Sequence, residues 1–254
     1  MAVWSLWRDG DGWTAHSLTG KDKKPAGEEL GLEDHRAPGM GKRLLLPSAT
    51  KPDVEMEEST EEAYRVRRYL RGVPEGQDEL FKEHSLPQES NIDFMGGIDY
   101  RKGCYVGQEL TIRTHHTGVV RKRVLPVMLY GAEEPEPQKL EYISDSKGLE
   151  RLGLGDGLDA SDIPTETNFG RSGKRGRSAG KWLKGVGNLG LGLCRIEIMT
   201  DTVVQGGTGG YKEGDEFKLE WEGEGEGVEG SKMVKAKAFV PDWHLTRQKG
   251  AGKV

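Results

Sequence analysis

From residue 130 onward the sequence falls into short strand-length runs, at 139–143, 179–184, 189–198, 215–221 and 233–240, joined by glycine-rich, charged links. A run of that length cannot bury a face alone. Several of them with turn-rich links and no helical period predict a small antiparallel β-barrel, whose closure removes unpaired edges. The long apolar run 119–129 predicts the strand that leads into it. Pro126 inside that run has no N–H for a ladder, so a sheet edge or a bulge is expected there. Glycine supplies 38 of 254 residues and only 34% of the chain is hydrophobic, so a packed fraction is diluted by loops. Two stretches read as loosely held insertions: 153–178, which runs into GRSGKRGRSAG at 170–180, and the acidic EGEGEGVEG at 222–230. After Trp243 a polar tail is expected.

Ahead of this pattern the chain is mixed α+β, which divides it into 1–118 and 119–254. Residues 3–8 and 13–18 predict a hairpin through Asp9-Gly10-Asp11-Gly12. Lys42–Leu46 predicts a strand closed by Pro47, followed by an acidic linker over 47–58. Ser59 and Glu62 have capping-box spacing and open a helix with Ala63, Val66, Tyr69 and Leu70 toward the core. Arg65, Arg67, Arg68 and Arg71 fill its other positions, Gly72 suits the left-handed residue after it, and Pro74 stops it. Glu109–Arg113 alternates as a strand, and 114–118 turns the chain.

Lys and Arg number 37 against 42 Asp and Glu, a net charge of −5, which argues against a protein that coats nucleic acid. No apolar run is long enough to span a membrane. The first residues lack the basic start and apolar stretch of a signal peptide, and the Arg-rich helix of a mitochondrial presequence. The two cysteines, Cys104 and Cys194, exclude a disulfide scaffold, an all-cysteine zinc site and a self-contained iron–sulfur site, and fit a reducing compartment.

The most informative segment is Arg101-Lys102-Gly103-Cys104-Tyr105-Val106-Gly107-Gln108-Glu109. Positive charge favours thiolate over thiol, and flanking glycines let backbone wrap closely round a sulfur. The segment reads either as an exposed, reactive or metal-binding thiolate or as a half-buried cysteine in a turn. His115 and His116, on opposite faces of a strand, bring at most one ring to that sulfur, and a zinc site needs more ligands than this. Arg121-Lys122-Arg123 and Arg171–Arg177 read as a solvated edge and an unstructured basic loop, with RNA contact a minor alternative. The glycines at 185–192 lack the following helix of a dinucleotide fingerprint.

KGCYVGQE at 102–109 resembles the signature of the YgfZ-type branch of the glycine-cleavage T-protein superfamily. YRVRRYLRGVPEG at 64–76, the stretch 86–127 and AGKWLKGVGNLGLGLCRIE at 179–197 follow in that family's order, and THHTGVVRKR is similar to its mitochondrial iron–sulfur cluster assembly branch. The resemblance implies part of a ferredoxin-like, folate-binding α+β core followed by a C-terminal antiparallel β-barrel. It also implies a long segment ahead of the matched region, so an N-terminally truncated chain is expected. It implies work in the mitochondrial matrix on four-iron, four-sulfur proteins such as aconitase and lipoate synthase, with A-type carrier proteins as partners. Cys104 is the residue it singles out, as ligand to a cluster shared with the partner. Lys102, Gly103, Tyr105, Gly107, Gln108, Glu109 and Arg113 match the positions expected to contact the cofactor. Tetrahydrofolate is the cofactor suggested by the superfamily, and a folate-dependent aminomethyl or one-carbon transferase is the alternative activity. Leu70 stands where the transferring relatives place an acidic pterin-binding residue.

Overall fold

The computed structural model describes residues 2–7, 30–154, 158–173, 176–203, 209–222 and 231–251. Strands β1 (Ala2–Leu6), β2 (Leu30–Glu33) and β3 (Lys42–Leu46) form an antiparallel sheet in the order β1-β3-β2. The predicted β3 is present, and β1 pairs with it antiparallel, Ala2 opposite Leu46. The expected turn at 9–12 and its strand at 13–18 lie outside the described residues.

Helix α1 (Glu61–Tyr69) starts one residue later than the capping box suggests. Thr60 is the N-cap, its Oγ1 accepting from the Ala63 N–H at 3.1 Å. Glu61 and Glu62 in the first turn and Arg67 and Arg68 in the last complement the helix dipole. Gly72 does take a left-handed φ of +66°. Arg67 and Arg68, which fill positions beside the apolar ones, are buried because acceptors await them. Arg67 donates to the Gly39 carbonyl, and Arg68 forks onto the Glu79 carboxylate at 2.7 and 2.9 Å. Tyr69 donates to the same carboxylate.

The second half is a closed antiparallel barrel. Its strands are β4 (Lys122–Tyr130), β5 (Asn168–Arg171), β6 (Gly180–Val186), β7 (Leu189–Arg195), β8 (Phe217–Glu222) and β9 (Ser231–Ala238), arranged β4-β7-β6-β5-β8-β9. Along β4, Leu125, Val127 and Leu129 point into the barrel with Trp182, Phe169 and Leu219, while Val124 and Met128 point outward against Val66 and Tyr69 of α1. Both faces are covered, which explains the near-continuous apolar run. The barrel glycines make room for large side chains: a Cβ on Gly190 would lie 2.1 Å from Trp182, and one on Gly192 would lie 2.7 Å from Phe169. Pro126 sits where the β9 ladder ends, its carbonyl accepting from Phe239 N–H.

Four expectations for this half need correction. The stretch 153–178 is not wholly a loose insertion, because β5 runs through it on the single inward side chain of Phe169. Arg171, assigned to an unstructured basic loop, belongs to β5 and pairs with Asp215. Residues 139–143 are not a strand: an Asn188 side chain satisfies them, accepting from Ile143 N–H and donating to the Glu141 carbonyl at 3.0 Å each. Helices do occur here, at α3 (Ser146–Arg151), α4 (Ile196–Met199) and α5 (Asp242–Ala251), the last in place of the expected polar tail. The acidic run expected as a second insertion lies almost wholly outside the described residues. Among the described residues no helix is long and apolar enough to cross a membrane.

Candidate functional site

Between α1 and the barrel the chain crosses 86–107 and then forms helix α2 (Gln108–Thr117). The base of this crossing is fastened by side chains. Asn91, fully buried and at a left-handed φ of +63°, donates to the Gly72 carbonyl at 3.1 Å and the Val124 carbonyl at 2.7 Å, tying the end of α1 to β4. Asn tolerates that backbone region better than most residues. Gln88, also buried, donates to the Thr111 carbonyl inside α2 at 2.7 Å. Arg123 reaches back from β4 to the Gln88 carbonyl and holds Asp93 through two 2.8 Å hydrogen bonds. Its guanidinium carbon lies 3.6 Å from the centroid of Phe94, which packs against Trp243.

From this base a tip projects. Tyr100 stacks on His115 of α2, centroids 3.7 Å apart and planes 15° apart, and the Tyr105 N–H donates to Gln108 Oε1 at 3.3 Å. Cys104 lies between these two closures and is exposed. Lys102 places its ammonium 4.3 Å over the Tyr105 ring. Gly107 has φ +84° and is the N-cap of α2, so a side chain there would strain the turn. Gly103 has open space where a Cβ would stand, so nothing in the fold requires its smallness. Gln108 is half-buried, and Glu109 and Arg113 are exposed on the helix. The predicted strand 109–113 is therefore an α-helix, bounded by left-handed glycines, Gly107 and Gly118.

That helix changes the reading of the histidines. His115 and His116 are helical neighbours, their rings 5.4 Å apart edge to face, and His115 is occupied by Tyr100. The basic strip is also resolved: Arg121 is exposed, Lys122 pairs with Glu89 at 3.0 Å, and Arg123 is buried on Asp93. Among the described residues no three His, Cys, Asp or Glu side chains converge as a metal site. Gln88, Asn91 and Tyr100 were not among the sequence-derived candidates, and Arg123 was read only as part of a solvated basic strip; a buried polar anchor leaves no period in the sequence. The other cysteine, Cys194, is wholly inside the barrel, and burial pushes its thiol far above the ordinary range.

A concavity of about 1580 Å³ lies between the β1–β3 sheet, the acidic linker and α1, with Trp4, Trp7, Tyr64 and Leu70 in its lining. Its carboxylate Glu75 is engaged by Arg36 and Arg43 at 2.5 Å each and by the Tyr64 hydroxyl at 2.9 Å. Burial alone would raise the Glu75 carboxyl, but hydrogen bonds from Arg36 and Tyr64 and the nearby guanidinium charges outweigh it and bring it down to about 2. Leu70 offers a pterin edge no hydrogen bond, and an unpaired polar edge costs affinity. Leu70 therefore does not supply the acidic pterin contact that the resemblance places at this position.

No family model matches the chain. It is 49% identical over 248 residues to the iron–sulfur cluster assembly factor IBA57 homolog, mitochondrial, of Chaetomium globosum, covering 96% of this chain and 56% of that protein. The proteins of the same name from Pyricularia oryzae and Aspergillus fumigatus are 47% and 42% identical, each over 95% of this chain and 58% and 55% of their own lengths. The chain thus spans just over half the length of the curated relatives it matches. Across nearly all of its own length, the chain is similar to proteins named as mitochondrial iron–sulfur cluster assembly factors.

Proposed function

We propose that this chain serves iron–sulfur cluster assembly in the mitochondrion, handling a cluster through Cys104 together with an A-type carrier protein. The observation that carries the proposal is the placement of Cys104: exposed, on a tip closed by the Tyr100–His115 stack and clear of the packed core. One soft thiolate is one iron ligand, so the partner supplies the rest. The step is a ligand exchange. The thiol gives its proton to solvent, its sulfur takes a coordination position on iron, and the departing ligand leaves with its electron pair, so no oxidant or reductant is consumed. Gly107 and Gln108 shape the turn that presents the sulfur, and Lys102 and Tyr105 brace it. Glu109 and Arg113 lie on the adjoining outward helix face, where they would meet the partner. The three-stranded sheet with α1 is read as part of the T-protein-like α+β domain, residues 1–118, ahead of the barrel domain. Leu70 disfavours the transferase alternative.

The test is reconstitution. Wild-type chain and Cys104→Ala are each mixed with a purified A-type carrier, iron and sulfide under anaerobic conditions, and the cluster absorbance that co-elutes with the heterocomplex is measured. Loss of that absorbance in Cys104→Ala is expected; its persistence would overturn the reading.

A further inference from the structure

We infer that Trp243, in the first turn of α5, is a positioning residue for Cys104. The C-terminal helix closes the base from which the cysteine tip projects, so the far end of the chain sets how firmly the sulfur is held. Trp243 is 6% exposed and belongs to a small core with Ala37, Met40, Val73 and Phe94, separate from the barrel interior. Those partners come from three places: the β2–β3 loop, the exit of α1, and the crossing 86–107. The indole is the wall they share. Its N–H donates at 3.0 Å to the Arg71 carbonyl, 172 residues earlier in the chain and just past the end of α1, where partners within the helix run out. His244 continues the contact. Its ring stands 5.3 Å from Phe94, and its Cε1 lies 3.6 Å from where a Gly72 Cβ would stand. Asn91 donates to the carbonyl of that same Gly72, so α5 and the crossing meet the exit of α1 at one point.

From Trp243 the packing leads to the tip. The indole meets Phe94 nearly edge-on, centroids 6.4 Å apart. Phe94 carries the Arg123 guanidinium on its ring, Arg123 donates to the Gln88 carbonyl, and the Gln88 side chain donates to the Thr111 carbonyl within α2. Phe94, Arg123 and Gln88 are all buried. A cation on an aromatic face is held more strongly when water is excluded, and α5 is what covers this ring. A residue that only adds stability would loosen the whole molecule when truncated. A positioning residue loosens the crossing and leaves the barrel closed. The inference rests on the cluster-handling reading for its consequence, while the hold on the sulfur is measured without iron.

The experiment attaches a nitroxide to Cys104 of the 254-residue chain, whose other thiol is sealed in the barrel, and records the electron spin resonance line shape. The parent is compared with Trp243→Ala, Trp243→Phe and Leu219→Ala. Leu219 is fully buried inside the barrel, so its truncation damages a core away from the base. Urea unfolding ranks the variants by stability, and alkylation of Cys194 in unlabelled samples shows whether the barrel is closed. Trp243→Ala is expected to shorten the rotational correlation time of the label at least about twofold with Cys194 still protected. Trp243→Phe, which keeps a ring against Phe94 and lacks the N–H, should shorten it less. Leu219→Ala should lose stability and leave the line shape parent-like. A parent-like line shape in Trp243→Ala with the barrel closed would overturn the positioning role, and so would equal mobilisation by Leu219→Ala. Should Trp243→Ala open the barrel, Trp243→Phe decides, and a parent-like line shape there overturns the role. Reconstitution with the A-type carrier, iron and sulfide then links position to use: the shared-cluster absorbance should fall as label mobility rises. Full absorbance in a mobilised Trp243→Ala, where Cys104→Ala loses it, would overturn the role. If the label is mobilised but Cys104→Ala keeps the absorbance, the hold on the tip stands and the role given to the sulfur falls.

Discussion

In the barrel each strand has two hydrogen-bonded neighbours, its interior is filled by Trp182, Phe169, Leu125 and their neighbours, and its outer face packs Leu191 and Met128 against α1. In the crossing that carries Cys104, much of the fastening falls to side chains reaching backbone: Gln88 to Thr111, Asn91 to Gly72 and Val124, and Arg123 to Gln88. The first region is apolar, cooperative and inert. The second is polar at its base and exposed at its tip. The contrast shows how a reactive residue can be held in place without being part of the core: the anchors lie below it, so changes at the tip leave the fold untouched.

The contrast can be broken from either side. Leu191→Ala opens a cavity between β7 and α1, where the side chain is fully buried, and should cost about 2–5 kcal/mol in urea unfolding. Arg123→Ala strands Asp93 and frees the Gln88 carbonyl, and should cost about 3 kcal/mol. If it costs less than a surface substitution, the polar base is not what fastens the crossing.

Two tests in acid sharpen the comparison. The Glu75 carboxyl is held near 2 against an ordinary 4.5, so its contribution is complete above pH 4.5 and is lost as pH falls toward 2. Glu75→Gln should flatten that part of a stability-against-pH curve; an unchanged slope would count against the Arg36–Arg43–Tyr64 network. His244, 2% exposed beside Phe94 and Trp243, has both ring nitrogens without a hydrogen-bond partner. Burial, then the charge of Arg123, lowers it to about 3 from 6.5. The fold therefore favours the neutral ring, and that contribution is full above pH 6.5 and lost on acidifying toward 3. His244→Phe should be near neutral in stability at pH 7 and less acid-labile below 6.5. The smallest expected effect is at the tip: Cys104→Ala should change unfolding free energy by less than about 0.5 kcal/mol while removing the shared-cluster absorbance.

Much of this architecture was legible in the sequence, and the failures share a cause. The β4 run, the β6 and β7 pair and the strand at Lys42–Leu46 were readable because apolar periodicity tracks burial. Glu109–Arg113 alternates like a strand, yet it is helical, because Gly107 and Gly118 terminate it at both ends and Gln88 hydrogen-bonds its backbone from elsewhere in the chain. Residues 139–143 look like a strand and find an asparagine side chain in place of a neighbour. β5 was hidden because Phe169 is its one inward apolar residue. At the site, Cys104 and its glycines were legible as a motif. Tyr100, Asn91 and Arg123 were not, since a buried polar anchor is defined by what it reaches, and that partner lies far away in sequence.

The two sulfurs differ as a doorbell differs from a seal: one answers any reagent in solution, the other only when the wall comes down. A thiol-specific fluorophore added to native protein should therefore attach at Cys104 alone, giving a label at the tip without engineering. Cys194, unreacted until the barrel opens, times that opening, so one alkylation time course on the unmodified chain reports both access to the tip and the lifetime of the closed sheet.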